Sequence, residues 1–361
     1  MAITMDNFRK NIEKKSGIKT KGKSITANDT LKRLHDEFLF EAQGSHKTEA
    51  TIQSYEKHFR KLYEFVGYYS FYDMPDYETS KDECRARGME APIKTLDVEN
   101  IAAHYHLYLE TVCQPPLKEQ TIITCMRNFR VFLYWAMKHK LIARQDITVK
   151  TVEPPLKQTY TNDEIYRLTR KRPDTHDVVA YRNWVMIQYF MATGNRIGSV
   201  LALNVEDIDF ENNEIRVQHT KNRRPQIATL PSKLKPHLAN WVKLYRTDED
   251  GIPLYNAPLF CNAYGTRLVM KSAYDSMGDY FATRGVAWEG FHKFRHSYAA
   301  NWVREGGDSL KLKTQLGHSS LTMTNRYANL YGKAVSKDVE DHSLINKVKI
   351  TSGRKKIKAK E

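Results

Sequence analysis

Six side chains in the second half of the sequence could together break and remake a phosphodiester bond. That reaction needs a nucleophile to attack phosphorus, positive donors to hold the non-bridging oxygens, and an acid to protonate the departing oxygen. A tyrosine can attack, arginines and histidines can hold the oxygens, and a lysine can be the acid. The candidates, in chain order, are Arg196, Lys221, His292, Arg295, His318 and Tyr327.

The residues around Arg196 predict a turn between two helices. Gly194 follows the apolar helical stretch Trp184–Ala192, and Arg196 is expected to open the next helix. A guanidinium at the start of a helix can bind a phosphate through two hydrogen bonds. An arginine near a helix start is more often an ordinary surface residue, so this position argues for a phosphate site only together with the others.

The next candidates fall on a predicted hairpin and a predicted helix. Glu214–His219 and Gln226–Leu230 have the alternation of strands, and Lys221 lies in the basic turn between them. His292 and Arg295 are three positions apart in a helical stretch and therefore share a face. A basic hairpin or helix face alone is usually only solvated.

The composition points to a polyanionic partner. The chain has 361 residues, a formal net charge of +15 and a pI of about 9.4. Such a surface attracts nucleic acid, although a basic enzyme or a membrane-surface protein would share it. No two of the four cysteines have the spacing of a metal or redox motif. Because the sequence also lacks a long apolar run and a signal-peptide pattern, we expect a soluble, cytoplasmic, nucleoid-associated protein without membrane contact.

Periodicity and prolines divide the chain into segments. Apolar residues recur at helical spacing from Ile52 to Val66, from Ile101 to Val112 and from Ile122 to Ala136, which predicts a small all-α domain. Two prolines in Val152–Thr161 predict a linker. The expected segments are a basic, flexible arm at 1–47 that contains a short helix around Thr30–Glu41, a helical DNA-binding domain at 48–150, a linker at 151–160, a catalytic domain at 161–337 and a basic tail at 338–361.

Three further structural expectations follow. Asp73–Pro92 has no clear period and is expected to be a loop, and Asp97 is the expected N-cap of the helix that begins near Ile101. The fold class is expected to be mainly α with a small β-sheet. Basic residues on the predicted helix faces and hairpin could line a DNA backbone: Lys57, Arg60, Lys61, Arg127, Arg130, Arg223, Arg224 and Lys293.

The order of the candidates and the sequence around them resemble the tyrosine recombinase, or phage integrase, family. That family carries Arg, Lys, His-x-x-Arg, His and Tyr in this order, and the matching segments here are TGNRIGSVLAL, TKNRRPQIATLP, HKFRHSYAANWV, LGHSS and RYANL. The resemblance covers about residues 160–331, and the helical stretch at about 51–142 is similar to the family's core-binding domain. It implies an all-α, SAM-like core-binding domain followed by a mixed α+β catalytic domain.

The resemblance also implies a mechanism and partners. Tyr327 would attack the scissile phosphate and give a 3′-phosphotyrosyl bond and a free 5′-hydroxyl, without metal, ATP or another cofactor. The implied partners are double-stranded DNA with specific recombination sites, accessory proteins, and further protomers, which are monomers in solution and form a tetramer on two DNA sites through a Holliday junction. The implied roles are a phosphate clamp for Arg196 and Arg295, hydrogen bonds to its oxygens for His292 and His318, and general acid for Lys221.

Some positions depart from the family pattern or have rivals. Ser199 stands where the family often has a glutamate, which puts a supporting contact in doubt. Lys221 is preferred as the acid over the two arginines that follow it in the hairpin. Tyr331, one helical turn after Tyr327, is a rival nucleophile, but the nine-residue spacing from His318 favours Tyr327.

Several other functions stay open on the sequence alone. A type IB topoisomerase shares the chemistry, a housekeeping dimer resolvase uses the same residues as an integrase or transposase, and a non-catalytic DNA-binding protein could keep the fold. The basic arm and tail favour an integrase or transposase of a mobile element. A metal-dependent tyrosine nuclease would need a His-hydrophobe-His pair; His104 and His106 have that spacing, but on a helix their side chains diverge by about 200°.

Overall fold

The computed structural model describes residues 25–69, 77–149, 158–218 and 225–317. By its internal contacts the chain divides into two compact units, Met1–Pro155 and Leu156–Glu361. The described residues are mostly helical and contain a small antiparallel sheet, which confirms the predicted fold class. None of the helices within these ranges is long and apolar enough to cross a membrane.

The described part of the N-terminal unit is a bundle of helices around an aromatic core. Phe132 meets Phe38 and Phe59 edge to face, with ring centroids 5.6 and 4.8 Å away. The apolar residues that recur at helical spacing in the sequence supply much of this core. The helices are α1 (Leu31–Gly44), α2 (Glu49–Tyr69), α3 (Tyr77–Glu90), α4 (Ile101–Leu107), which continues as a π-helical turn at Tyr108–Val112, and α5 (Glu119–Lys138).

Helix α1 belongs to this bundle and not to a separate arm. Leu31 and Leu34 are fully buried in the core, and the Thr30 hydroxyl caps the helix by accepting a hydrogen bond from the Arg33 N–H (3.3 Å). The boundary predicted at residue 47 is therefore too late, because the apolar face of α1 is part of the domain core. The lysine-rich beginning of the predicted arm lies outside the described residues.

Helix α3 occupies most of the segment predicted to be a loop, Asp73–Pro92, so that prediction is wrong. The helix has almost no apolar face because it contacts α2 through backbone. A Cβ atom on Gly67 of α2 would lie 1.8 Å from the Cys84 carbonyl oxygen, and a Cβ on Gly88 of α3 would lie 1.9 Å from that of Tyr63. Glycines thus allow an approach that the hydrophobic pattern cannot reveal.

A buried carboxylate also joins α2 to α3. Glu64 accepts hydrogen bonds from the Lys61 ammonium and the Arg85 guanidinium, each at 2.7 Å. Burial alone would raise the pKa of Glu64, but the two cations outweigh it and hold the pKa below its usual value. Because Lys61 is committed to this pair, the prediction that it contacts DNA is not supported.

The expected N-cap of α4 is also wrong. Asn100 directly precedes α4, whereas Asp97 follows a short 3₁₀ turn, Ile93–Leu96. The Asp97 carboxylate instead accepts a hydrogen bond from the Ala143 backbone N–H (2.8 Å). It therefore ties the start of α4 to the segment after α5.

The described part of the C-terminal unit combines helices with a three-stranded sheet. Strand β2 pairs antiparallel with both neighbours, in the order β1-β2-β3. The sequence predicts β2 and β3 but not the two-residue β1. The elements are α6 (Asn162–Thr169), α7 (Val178–Thr193), α8 (Ile197–Ala202), β1 (Ile208–Asp209), β2 (Glu214–Val217), β3 (Gln226–Thr229), α9 (Lys235–Tyr245), α10 (Met270–Thr283), α11 (His292–Arg304) and α12 (Ser309–Leu316).

Helix α7 is the centre of this unit. It is apolar on nearly every side and packs against α6, α9, α10 and α11, as expected of a helix buried all round. Phe190 of α7 stacks on Phe294 of α11, with ring centroids 5.6 Å apart. This packing fixes the end of α7, after which the chain turns to Arg196, relative to α11, which carries Arg295.

The predicted linker, Val152–Thr161, ends earlier than expected. Tyr160 is buried against Phe294, with ring centroids 4.8 Å apart, and its backbone N–H donates to the Ser297 hydroxyl (2.8 Å). Thr161 is the N-cap of α6. Both residues therefore belong to the C-terminal unit, because the ring of Tyr160 completes its core.

Candidate active site

A tight turn between α7 and α8 positions Arg196. Gly194 ends α7 in the left-handed conformation, at φ 63°, where a Cβ would lie 2.7 Å from the Tyr298 ring and 2.9 Å from Leu316. Asn195 is buried, and its side-chain amide donates to a tyrosine hydroxyl of α7 (2.9 Å). Arg196 follows in extended conformation as the N-cap of α8. The turn predicted from the sequence is thus present and tightly packed.

The Arg196 guanidinium is half-buried and carries an uncompensated charge. None of the described residues forms a hydrogen bond or ion pair with it. Burial lowers its pKa from the ordinary value of arginine because water is removed from the charged form. Such a group gains most from a bound anion, which would supply the missing counter-charge and hydrogen-bond acceptors.

Arg295 joins the turn before Arg196 to the end of α12. The side chain is 5% exposed, and its two terminal nitrogens donate to the Gly194 carbonyl (3.1 Å) and the Leu316 carbonyl (2.8 Å). These carbonyls lie two residues before Arg196 and two residues before His318. Arg295 therefore brings together the segments that lead into two other candidates.

His292 is the first residue of α11 and is exposed. Its ring centroid lies 6.5 Å from that of His296, one turn later. His292 and Arg295 both lie in α11, as the predicted helix requires. Their surroundings differ, because Arg295 is buried whereas His292 is exposed to solvent. The histidine is thus accessible to a ligand.

A residue that the sequence did not single out, Gln226, contacts the end of α12. Its side-chain nitrogen donates to the carbonyls of Thr314 (2.8 Å) and Gln315 (2.6 Å). Gln226 is the first residue of β3 and pairs with Val217 of β2. No local signal in the sequence marked it, because strand alternation would place the apolar Ile227 inward and Gln226 outward.

Five of the predicted site residues lie outside the described ranges, and Gln218, Gln226 and Gly317 of the described chain lie near four of them in sequence. Gln218 and Gln226 stand on the two sides of the hairpin tip, and Gly317 ends α12 directly before His318. The Gln218 amide donates to the Asp207 carboxylate (2.9 Å), which holds the β2 side of the hairpin. The residues outside the ranges are Lys221, Arg223, Arg224, His318 and Tyr327.

The basic residues predicted to contact DNA differ in their surroundings. Lys57, Arg60 and Arg127 are exposed and Arg130 is half-buried, so these four stay predicted DNA contacts. Lys293 is 7% exposed, pairs at 2.6 Å with a glutamate four residues earlier, just before α11, and lies over the ring of a buried tyrosine. The predicted DNA contact of Lys293 is therefore not supported, because its charge is already used inside the protein.

The histidine pair of the alternative, metal-dependent hypothesis lies on helix α4. His104 is exposed and His106 half-buried on α4. In the ranges that the structure covers, no group of three or more His, Cys, Asp or Glu side chains could hold a metal ion.

Comparison with known proteins gives a consistent family assignment. Residues 158–333 match the model of the phage integrase family. Tyrosine recombinase XerC of Chlamydia pneumoniae is 24% identical over 237 residues, which cover 63% of this chain and 73% of that protein. XerC of Chlamydia caviae is 27% identical over 233 residues, 62% of this chain and 72% of that protein.

Solved structures share the fold. The Tn1549 transposon integrase, in complex with transposon right end DNA, matches with a TM-score of 0.60 and 18% identity, over 86% of this chain and 99% of that one. A lambda integrase tetramer bound to a Holliday junction matches with a TM-score of 0.57 and 14% identity, over 89% of this chain and 85% of that one. Residues 158–333 thus match the phage integrase family of tyrosine recombinases.

Proposed function

We propose that this chain is a site-specific DNA recombinase that cleaves and rejoins strands through a covalent bond between Tyr327 and a 3′ phosphate. One observation carries the proposal: Arg196 presents a half-buried guanidinium without a described partner. Its turn is held by Arg295, which reaches to within two residues of His318. A scissile phosphate is the anion that this arrangement fits best.

In the proposed reaction, the Tyr327 phenolic oxygen bonds to phosphorus as the bond between phosphorus and the 5′ oxygen breaks. His292 accepts the phenolic proton, and Lys221 donates a proton to the 5′ oxygen. Arg196, Arg295 and His318 hold the non-bridging oxygens while negative charge builds on them. The 5′-hydroxyl of a second strand reverses the step, so the energy of the phosphodiester is retained in the protein–DNA bond.

The proposed partners are double-stranded DNA with specific sites and further copies of the chain. A similar fold, the lambda integrase, is known as a tetramer bound to a Holliday junction, which supports four protomers acting pairwise on two DNA sites. We propose monomers in solution that assemble on DNA, with accessory proteins choosing the direction. The DNA would be met in the cytoplasm, at the nucleoid.

Among biological roles, we propose integration or transposition of a mobile element over dimer resolution. The basic segments at both ends of the sequence support this choice, and so does the similar fold of a transposon integrase. A dimer resolvase would use the same active site. A type IB topoisomerase would differ by relaxing DNA without joining two molecules.

Covalent capture tests the proposal. The protein is incubated in excess EDTA with sheared genomic DNA of the organism that carries the gene, then denatured, and protein-bound fragments are recovered and sequenced. We expect adducts whose ends converge on a few sequences. The Tyr327→Phe protein should bind the same DNA but give no adducts. Adducts that need a divalent metal, or that persist in Tyr327→Phe and vanish in Tyr331→Phe, would contradict the proposal or its choice of nucleophile.

A further inference from the structure

Strand β3 turns a polar side chain inward and an apolar side chain outward, the reverse of the usual arrangement. Gln226 shares the inward face of the strand with the buried Ala228, whereas Ile227 between them is 66% exposed. Register is fixed by buried Ile215 of β2, which pairs with Ala228. Since neighbouring side chains on a strand point to opposite faces, a shift by one residue would turn Gln226 to solvent. The register therefore keeps a polar amide on the inner face.

Gln226 completes the capping of α12. The last four carbonyls of a helix have no partner within it. In α12 the carbonyls of Thr314 and Gln315 both accept from the Gln226 nitrogen, at 2.8 and 2.6 Å, and the carbonyl of Leu316 accepts from Arg295. Two side chains from separate elements, β3 and α11, thus bind one helix end.

The end of α12 is shaped for this contact. Gly317 follows the helix at φ 61°, and a Cβ there would lie 2.8 Å from the Gln226 side-chain oxygen. Any residue other than glycine would strain the backbone and displace the amide. The two carbonyls that Gln226 binds lie four and three residues before His318, and Lys221 precedes Gln226 by five residues in the sequence.

We propose that Gln226 is a positioning residue that holds the hairpin carrying Lys221 against the helix that leads into His318. The inference rests on the proposed function, since it assigns Gln226 the relative placement of the general acid and of a phosphate ligand. Arg295 does the same for the Arg196 turn. The end of α12 is then the common point at which three segments of the active site are joined.

Hydrogen exchange tests the contact without any DNA. The comparison uses the full chain, Gln226→Met, which keeps the size but lacks both N–H donors, and Gln218→Met, the same change on the β2 side of the hairpin. We expect amides at the end of α12 to exchange faster in Gln226→Met alone. Equal exchange in all three proteins would overturn the proposal.

Single-turnover cleavage tests the positioning role, with a nicked duplex built from a captured site. At saturating protein, we expect Gln226→Met to cleave about 100-fold more slowly, the loss typical of a small misplacement of reacting groups, with unchanged affinity for the duplex. A sulfur atom at the 5′ bridging position should restore only part of this rate, because His318 is displaced as well. Gln218 does not touch α12, so any loss of cleavage rate in Gln218→Met should be restored in full by the sulfur atom.

The outcomes distinguish a failure of the positioning role from a failure of the proposed function. A Gln226→Met protein that cleaves at the wild-type rate, or that loses affinity at an unchanged rate, would overturn the positioning role. A wild-type protein that forms no adduct would instead contradict the proposed function, and the exchange experiment would still decide whether Gln226 caps α12.

Discussion

Acidification should destabilise the N-terminal unit through His35 of α1. The imidazole is buried, stacked on Phe59 with ring centroids 3.6 Å apart, and its Nδ1 is hydrogen-bonded to the Tyr63 hydroxyl oxygen (2.6 Å). Burial, and secondarily the charge of Lys32, lowers the pKa of His35 from 6.5 to about 3. His35 therefore becomes protonated below about pH 6.5 in the unfolded chain but stays neutral down to about pH 3 in the folded unit.

The sign and size follow from this difference in proton binding. Between pH 6.5 and 3 the unfolded state binds more protons, so the free energy of unfolding falls as the pH falls. One pKa unit corresponds to about 1.4 kcal/mol, so lowering the pH from 6.5 to 5.0 should cost about 2 kcal/mol. Well above pH 6.5 His35 should contribute no pH dependence, because it is then neutral in both states.

Native-state hydrogen exchange of peptides from α2 measures this free energy at each pH. His35→Gln is the matched control, because an amide can still accept a hydrogen bond from Tyr63 but does not titrate. The wild type should lose about 2 kcal/mol more than His35→Gln between pH 6.5 and 5.0. Parallel losses in the two proteins would refute the reasoning, since His35 would then protonate without unfolding.

Three further predictions concern packing and catalysis. Gly67→Ala should destabilise the N-terminal unit by about 3 kcal/mol or more in urea unfolding, because its Cβ would overlap a backbone carbonyl of α3; Gly44→Ala, which meets no atom within 4 Å, is the control and should be nearly neutral. Arg295→Lys should cost about 1–3 kcal/mol by leaving a buried carbonyl without its donor, which the same unfolding assay measures. Lys221→Ala should regain cleavage on a duplex with a 5′ bridging sulfur, which leaves without a proton, and Arg196→Ala should not; the reverse pattern would contradict both assigned roles.

The sequence predicts those helices whose side chains carry the packing. Apolar residues of α2 and α5, such as Phe59 and Phe129, recur at helical spacing and lie in the core. Helix α3 escapes this reasoning because backbone atoms, and not apolar side chains, make its contact with α2. The available signal was small residues four apart, Cys84 and Gly88, which allow two helices to approach closely.

Charge alone does not predict a DNA contact. Lys61 and Lys293 belong to the basic set, yet each is paired within its own unit. Glu64 lies three positions after Lys61 in the same helix, the spacing at which helical neighbours pair. Glu289 lies four positions before Lys293, just ahead of α11.

The sequence predicts which residues belong to the candidate site but not the tertiary contacts that hold them together. The order of motifs identifies Arg196 and Arg295, whereas the carbonyls that bind Arg295 come from residues 101 and 21 positions away. Gln226 was missed because its role depends on a helix end 88 positions later. Contacts of this kind follow from tertiary packing, which no local pattern encodes.

Mapping the covalent bond tests the central claim most directly. Wild-type protein trapped on DNA is digested with nuclease and protease, and the peptide that retains a nucleotide is sequenced by mass spectrometry. The account predicts a single modified peptide with the nucleotide 3′ phosphate on the oxygen of Tyr327. A nucleotide on any other residue, or a 5′ phosphate on Tyr327, would contradict it.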